Sequence, residues 1–301
     1  MNGTAPSSNA RGPWKSLGFA AVYLLVLIAA FMGTGAVQLL LSRQGVASLS
    51  RSSPVPWLFT VAGVLLAHVV MLRFVDRRPW SDVALGRSSA NWMRVLTGIA
   101  VGALAVGIPC AVLLASHWLT IAPGVGGNVG VVTLRMLAFL VPAALAEELM
   151  VRGYLLTALA DGFGRVSAVI ATSVLFGALH FANPGATPWS LVMVTLAGIW
   201  LGVVRLTTDS LYAAWAAHLA WNFVLGGVLH AAVSGQDMTI VAWRTLDSGP
   251  DWATGGAWGP EGGAAAAAGL LFATLLLLAR PLVRGGGNGM FARRSRGELT
   301  V

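Results

Sequence analysis

Apolar residues in this chain come in long unbroken runs, not in the alternation of a half-buried strand or the single stripe of a surface helix, and that pattern predicts helices apolar on every face. A window of about 20 residues finds eight such runs, at 17–41, 57–75, 95–119, 136–160, 166–182, 189–204, 211–233 and 264–279. The later runs are shorter, and several need flanking residues to span a bilayer. The first follows Arg11 and Lys15 as a signal peptide would, but its 25 uncharged residues are too many for a cleaved signal, so it is expected to stay as a helix.

The expected fold is all-α, a polytopic membrane protein of about eight transmembrane helices enclosing a polar cavity. Residues 1–16 are expected to form a disordered cytoplasmic tail, 17–282 the membrane domain with a motif core at 136–233, and 283–301 a basic cytoplasmic tail. The loop 234–263, with Trp243, Trp252 and Trp258 among glycines, is too short for a domain and is expected to lie along the membrane interface.

Composition sharpens this reading. With 56% hydrophobic and only 10% charged residues, a chain of 301 residues could not cover a soluble surface. Its single cysteine, Cys110, lies in an apolar run and excludes a disulfide within the chain or a CxxC metal knuckle. The net charge of +8 comes from basic residues separated by apolar segments, which suits anionic lipid headgroups and not nucleic acid. Counted on alternate sides, 15 of the 19 Lys and Arg fall on the side of the N-terminus, and Arg43, Arg51, Arg135 and Arg244 fall on the other. Cytoplasmic loops carry such an excess, so both termini are expected inside. Arginine outnumbers lysine 18 to 1, which hints at a GC-rich, bacterial gene and hence a bacterial plasma membrane.

Ionisable groups inside the spans need a reason, because each costs at least about 2.5 kcal/mol near the bilayer centre. The fourth run carries Glu147, Glu148 and Arg152. Glu148 lies four residues before Arg152, on one helix face in the favourable order, so the two can pair. Adjacent helical residues point about 100° apart, which turns Glu147 toward a different neighbour. The fifth run supplies Phe176 and His180, four apart, so the ring can buttress the imidazole. The seventh supplies His218 and Asn222, again four apart on an otherwise apolar helix. With about 1.5 Å of rise per residue, all these groups fall near mid-membrane. Acids, imidazoles and an amide at one depth on three helices predict a functional site.

These motifs, Glu-Glu-x-x-x-Arg, Phe-x-x-x-His and His-x-x-x-Asn in that order, resemble those of the CAAX-protease and bacteriocin-processing (CPBP, or Abi) intramembrane proteases, which include the type II CAAX prenyl endopeptidases. The resemblance covers about residues 136–233. It implies an eight-helix membrane fold whose site opens toward the cytoplasm, and peptide-bond hydrolysis by a glutamate-activated water. On this resemblance Glu147 takes the proton from the water, His180 positions or polarises it, and Glu148 with Arg152 holds the base helix. His218 and Asn222 donate to the oxyanion. The implied substrate is a membrane-associated or lipidated peptide or a membrane protein, and no cofactor is implied.

Other chemistries use the same residues. Glu147, His180 and His218 could hold zinc with one open position. Ser173, seven residues before His180, could serve as a serine nucleophile. A proton-coupled transporter would also place acids and histidines at mid-depth, with Pro109 and Pro142 as possible helix breaks, but no matched halves are visible. A noncatalytic immunity or binding protein could keep the fold, but intact motif residues argue against it. His68, His117 and His230 lack acidic partners in sequence and read as packing or interfacial residues. Trp189, Trp200, Trp215 and Trp221 read as belt or packing residues. Gly98 with Gly102 and Gly198 with Gly202 predict close helix contacts within the protein, and the oligomeric state stays open.

Overall fold

A computed structural model of the chain describes residues 11–46, 50, 53–237 and 243–283. It is an all-α polytopic membrane protein. The long helices are α1 (Pro13–Arg43), α2 (Val55–Val70, extended by a π-turn at Met71–Val75), α3 (Trp92–Ala115), α4 (Val129–Arg152), α5 (Tyr154–Leu179) and α6 (Pro188–Thr208). They are followed by α7 (Leu211–Phe223, extended by a π-turn at Val224–Val228), a short α8 (Asp251–Thr254) and α9 (Ala264–Val283). Helical stretches long and apolar enough to cross a bilayer are Pro13–Arg43, Val55–Val75, Trp92–Ala115, Val129–Leu179 and Pro188–Thr208, while α7 and the apolar part of α9 are shorter.

Local chemistry sets several helix ends beyond the expected ones. Helix α1 starts at Pro13, with proline at a first-turn position, so 13–16 are helical and not part of a tail. Residues 1–10 and 284–301, the rest of the two expected tails, lie outside the described residues. Asn91 caps α3 by accepting from the Met93 N–H, and Asn128 caps α4 by accepting from Val131, seven residues before the expected start at 136. Helix α6 opens with a capping box between Thr187 and Ser190. The helices run through Pro109 and Pro142 without ending.

The run expected to form one helix at 136–160 is broken. Gly153 takes a non-helical conformation directly after Arg152. His68 of α2 stabilises the break: its Nδ1 donates to the Val64 carbonyl at 2.9 Å, and its Nε2 accepts from the Tyr154 N–H at 3.2 Å. The Tyr23 hydroxyl donates to the Met150 carbonyl at 3.2 Å. A second break falls at Gly164, with φ 81° and ψ 163°, a conformation open mainly to glycine. The chain reverses there. Arg152 Nη2 donates to the Gly198 carbonyl at 3.1 Å, and Ser173 packs on the same Gly198, so Arg152 and Ser173 share one level. A straight helix would hold residues 21 apart in sequence about 32 Å apart.

Close helix contacts fix the remaining registers. A Cβ on Gly98 or Gly102 of α3 would meet the carbonyl oxygens of Ala213 or Ala217 in α7. Gly198 and Gly202 of α6 make the equivalent approach to Ser173 and Val169 of α5. Small residues are what allow backbones so near one another.

The two ends of the bundle differ in chemistry. At one end Arg11 pairs with Asp76, Arg78 reaches Asp76 (3.0 Å) and Asp161, and the Tyr154 hydroxyl donates to Asp76 at 2.7 Å. Burial raises the Asp76 carboxyl, but the hydrogen bonds from Arg11 and Tyr154 and the charges of Arg78 and Arg11 outweigh it and hold the group below its ordinary value. Arg94 donates to the Asp209 carbonyl at the same end. At the opposite end β1 (Leu119–Pro123) pairs antiparallel with β2 (Trp243–Asp247), Leu119 facing Asp247 and Pro123 facing Trp243. Asn183 donates to the Ser234 carbonyl there, and Gly235 N–H to that of Trp258. The loop expected to lie along the interface thus folds back over the helix ends. Trp258 is buried with Val151, Phe176 and Val194, whereas Trp252 is exposed and meets Trp118 edge-on.

Candidate active site

Three helices bring the three motifs together. On α4, Glu148 and Arg152 are fully buried and pair through Oε1 and Nη1 at 3.0 Å. His218 of α7 donates from Nδ1 to the same Oε1 at 3.0 Å. The guanidinium lies 4.1 Å above the Phe176 ring of α5. That ring also meets His180 at 4.7 Å and His218 at 6.0 Å, both edge-on. Phe176 therefore touches the cation and both imidazoles, a larger role than the buttress of one histidine.

Glu147 points elsewhere, as its place next to Glu148 on the helix requires. Its side chain is 23% exposed, and Oε2 stands 3.8 Å from His218 Nε2, too far for a direct hydrogen bond. His218 thus bridges the two acids, with Nδ1 on the buried one and Nε2 facing the exposed one. Because a carboxylate only accepts, the bond to Glu148 places the proton on Nδ1. His180, at the end of α5, donates from Nδ1 to the Phe176 carbonyl at 2.8 Å, which leaves Nε2 as the acceptor of its neutral ring. Among the described residues the Asn222 amide forms no hydrogen bond, although it lines the same cavity.

That cavity, about 520 Å³, is lined by Glu147, His180, His218 and Asn222 on its polar side. Trp57, Phe139, Leu140, Met150 and Leu179 form apolar wall, and Asn183, Ser234 and Gln236 line it at the sheet end. A neighbouring pocket of about 30 Å³ between His180, His218, Asn222 and Glu261 has room for a water molecule. The cavity therefore opens toward the end that carries the sheet, opposite the Arg11–Asp76–Asp161 cluster. Cytoplasmic termini and a cytoplasmic mouth, both expected from sequence, do not hold together in this architecture.

Two residues outside the motifs support the site. Glu261, in the loop before α9, accepts from the Trp221 indole N–H at 2.8 Å and from the Ser234 hydroxyl at 2.7 Å, fixing the residue beside Asn222. His68, read from sequence as packing, holds the break behind Glu148 and Arg152. The only sequence signal for Glu261 was an acid next to an apolar helix. Neither His117 nor His230 lines the cavity; His230 is buried edge-on to Trp243. Trp200 packs on Trp221, and Trp215 donates to the Val141 carbonyl at 3.1 Å.

Two alternative chemistries find less support in the geometry. Ser173 is fully buried, donates its hydroxyl to the Val169 carbonyl at 2.6 Å and does not line the cavity, so it is not placed as a nucleophile. Among the described residues no three His, Cys, Asp or Glu side chains are grouped closely enough to hold a metal ion.

Residues 129–224 match a family model described as type II CAAX prenyl endopeptidase Rce1-like. Among curated proteins, the chain is 31% identical over 184 residues to the uncharacterized protein YyaK of Bacillus subtilis (strain 168). That match spans 58% of this chain and 58% of the relative's length. No solved structure matches. Residues 129–224 contain Glu147, Glu148, Arg152, Phe176, His180, His218 and Asn222, so the segment similar to the Rce1-like type II CAAX prenyl endopeptidases holds all three motifs.

Proposed function

We propose that the protein is an intramembrane endopeptidase that hydrolyses peptide bonds of membrane-associated or lipidated peptides or of membrane proteins, with Glu147 as general base. One observation carries this reading: the Glu147 carboxylate and His218 Nε2 face each other across 3.8 Å at the wall of a cavity that His180 and Asn222 also line. Arg152 balances one of the two acids, so a single negative charge stays on the pair, as a base requires. Glu147 takes a proton from water, and the resulting hydroxide attacks the carbonyl carbon. The protonated Glu147 then returns that proton to the leaving nitrogen as the C–N bond breaks. His180 orients the water through its Nε2 lone pair. The free Asn222 amide donates to the oxyanion, a neutral donor that is less costly to bury than an ammonium. With Nδ1 engaged by Glu148, His218 reaches the oxyanion from Nε2 when that nitrogen carries a proton. Glu148, Arg152 and Phe176 are positioning residues. No metal or cofactor enters this scheme.

The chain is proposed to reside in a bacterial plasma membrane with both termini cytoplasmic, its basic loops against anionic headgroups. The test compares new peptide N-termini by mass spectrometry in membranes holding wild type or Glu147→Gln at matched expression. Cleavages confined to wild type support the proposal. Identical termini with both variants inserted overturn it in favour of transport or binding.

A further inference from the structure

The sidedness of the cavity follows from two observations that are independent of each other. The first is geometric. Every loop that lines the cavity belongs to the sheet end: Ala182 and Asn183 between α5 and α6, Val233, Ser234 and Gln236 after α7, and Pro56 at the start of α2. None of its lining residues comes from the opposite end, where Arg11, Asp76, Arg78 and Asp161 interlock. The second is electrostatic. Arg11, Lys15, Arg73, Arg77, Arg78, Arg87 and Arg94 lie at or beside that opposite end. Among the described residues the sheet end holds Arg43 and Arg244 against Asp237, Asp247, Asp251 and Glu261. Lys and Arg in short loops set orientation by staying in the cytoplasm, and a difference this large leaves one orientation.

We infer that the cavity opens on the non-cytoplasmic face of the membrane, and that the substrates are polypeptide segments presented from that face, translocated or anchored there. The substrate statement rests on the proteolytic reading above, whereas the orientation does not. The lining gives the segment's chemistry. Trp57, Phe139, Leu140, Met150 and Leu179 offer apolar wall around one carboxylate, so an apolar segment in extended form suits it better than a highly charged one. Asn183 and Gln236 supply amides at the mouth for peptide groups still partly in water. Glu147 reaches solvent from that mouth, and the ion-pair end shields the other side of the bundle.

The test labels single cysteines in the full chain in bacterial spheroplasts with a membrane-impermeant maleimide. Asp237→Cys and Ser248→Cys lie on the sheet end, Ser88→Cys lies on the other, and all three positions are exposed, whereas native Cys110 is buried. Labelling of Asp237→Cys and Ser248→Cys in intact spheroplasts, with Ser88→Cys reacting only after permeabilisation, is the expected result. The reverse pattern overturns the inference. A second readout places the wild-type-specific cut sites on the known topology of the cleaved proteins. Cuts in non-cytoplasmic segments support the substrate class, and cuts in cytoplasmic segments overturn it. If no cut depends on Glu147 the proteolytic reading falls with its substrate class, while the labelling still decides the orientation.

Discussion

Arg152→Met removes a guanidinium that solvent does not reach and leaves Glu148 charged in the same place. The two groups are 3.0 Å apart, and both side chains are 0% exposed. Unit charges about 4 Å apart attract by about 4 kcal/mol at an effective dielectric of about 20, and breaking a buried pair from one side costs about 3–5 kcal/mol. The Phe176 contact adds up to about 2 kcal/mol. The single variant is therefore expected to lose about 4–6 kcal/mol, and Glu148→Gln, which strands the arginine, about 3–5 kcal/mol. The double variant buries no charge from this pair, so its loss should fall short of the sum of the singles by at least about 2 kcal/mol. Equilibrium unfolding in mixed detergent micelles measures all four proteins. Losses that add to within about 0.5 kcal/mol, or an Arg152→Met loss under about 1 kcal/mol, would show that the two groups of this pair do not depend on each other in the folded protein.

Three further outcomes are expected. Gly153→Ala drives a methyl group into the His68 ring and the Leu149 carbonyl; a loss of about 1–3 kcal/mol and reduced turnover should follow, while an unchanged melting point with unchanged turnover would mean the break tolerates a side chain. Glu261→Ala deprives Trp221 and Ser234 of their acceptor, so thermal melts in detergent should show a loss of about 3 kcal/mol, and a neutral result would make the loop clamp incidental. Asp76 has a folded pKa below its ordinary 3.8, so its contribution is complete above that value and is lost as pH falls through the lower folded value. Asp76→Asn should therefore be less stable than wild type at pH 7, with the gap closing below pH 3.8. A gap independent of pH contradicts the ion cluster.

Periodicity alone placed the motif residues well. Four-residue spacing put Glu148 with Arg152 and turned Glu147 away, and both arrangements occur because they depend only on helix geometry within one element. Contacts between elements were less legible. No pattern in 55–75 showed that His68 would accept from the backbone of Tyr154, and no pattern in 234–263 showed that Trp258 would lie under Phe176. The cap at Asn128 was visible as a residue type, but the apolar window, which responds to mean hydropathy and not to caps, started the helix seven residues late. Sidedness was half legible: the charge count gave an expected cytoplasmic side, but only the packed helices show at which end of the bundle the cavity opens.

The breaks at Gly153 and Gly164 divide the apolar run from Val129 to Leu179 into three rods joined by single-residue joints. A continuous rod would pass any tilt imposed by a thinner or thicker bilayer along its whole length. Here the joints at Gly153 and Gly164 interrupt that path: the rod that carries Glu147 and Glu148 is pinned by Tyr23 and Gly198, while the segment from Tyr154 to Phe163 is anchored separately to His68, Asp76 and Arg78. The acids are thereby insulated from lipid composition, and the same sequence can keep Glu147, Glu148 and Arg152 aligned as the bilayer around it changes.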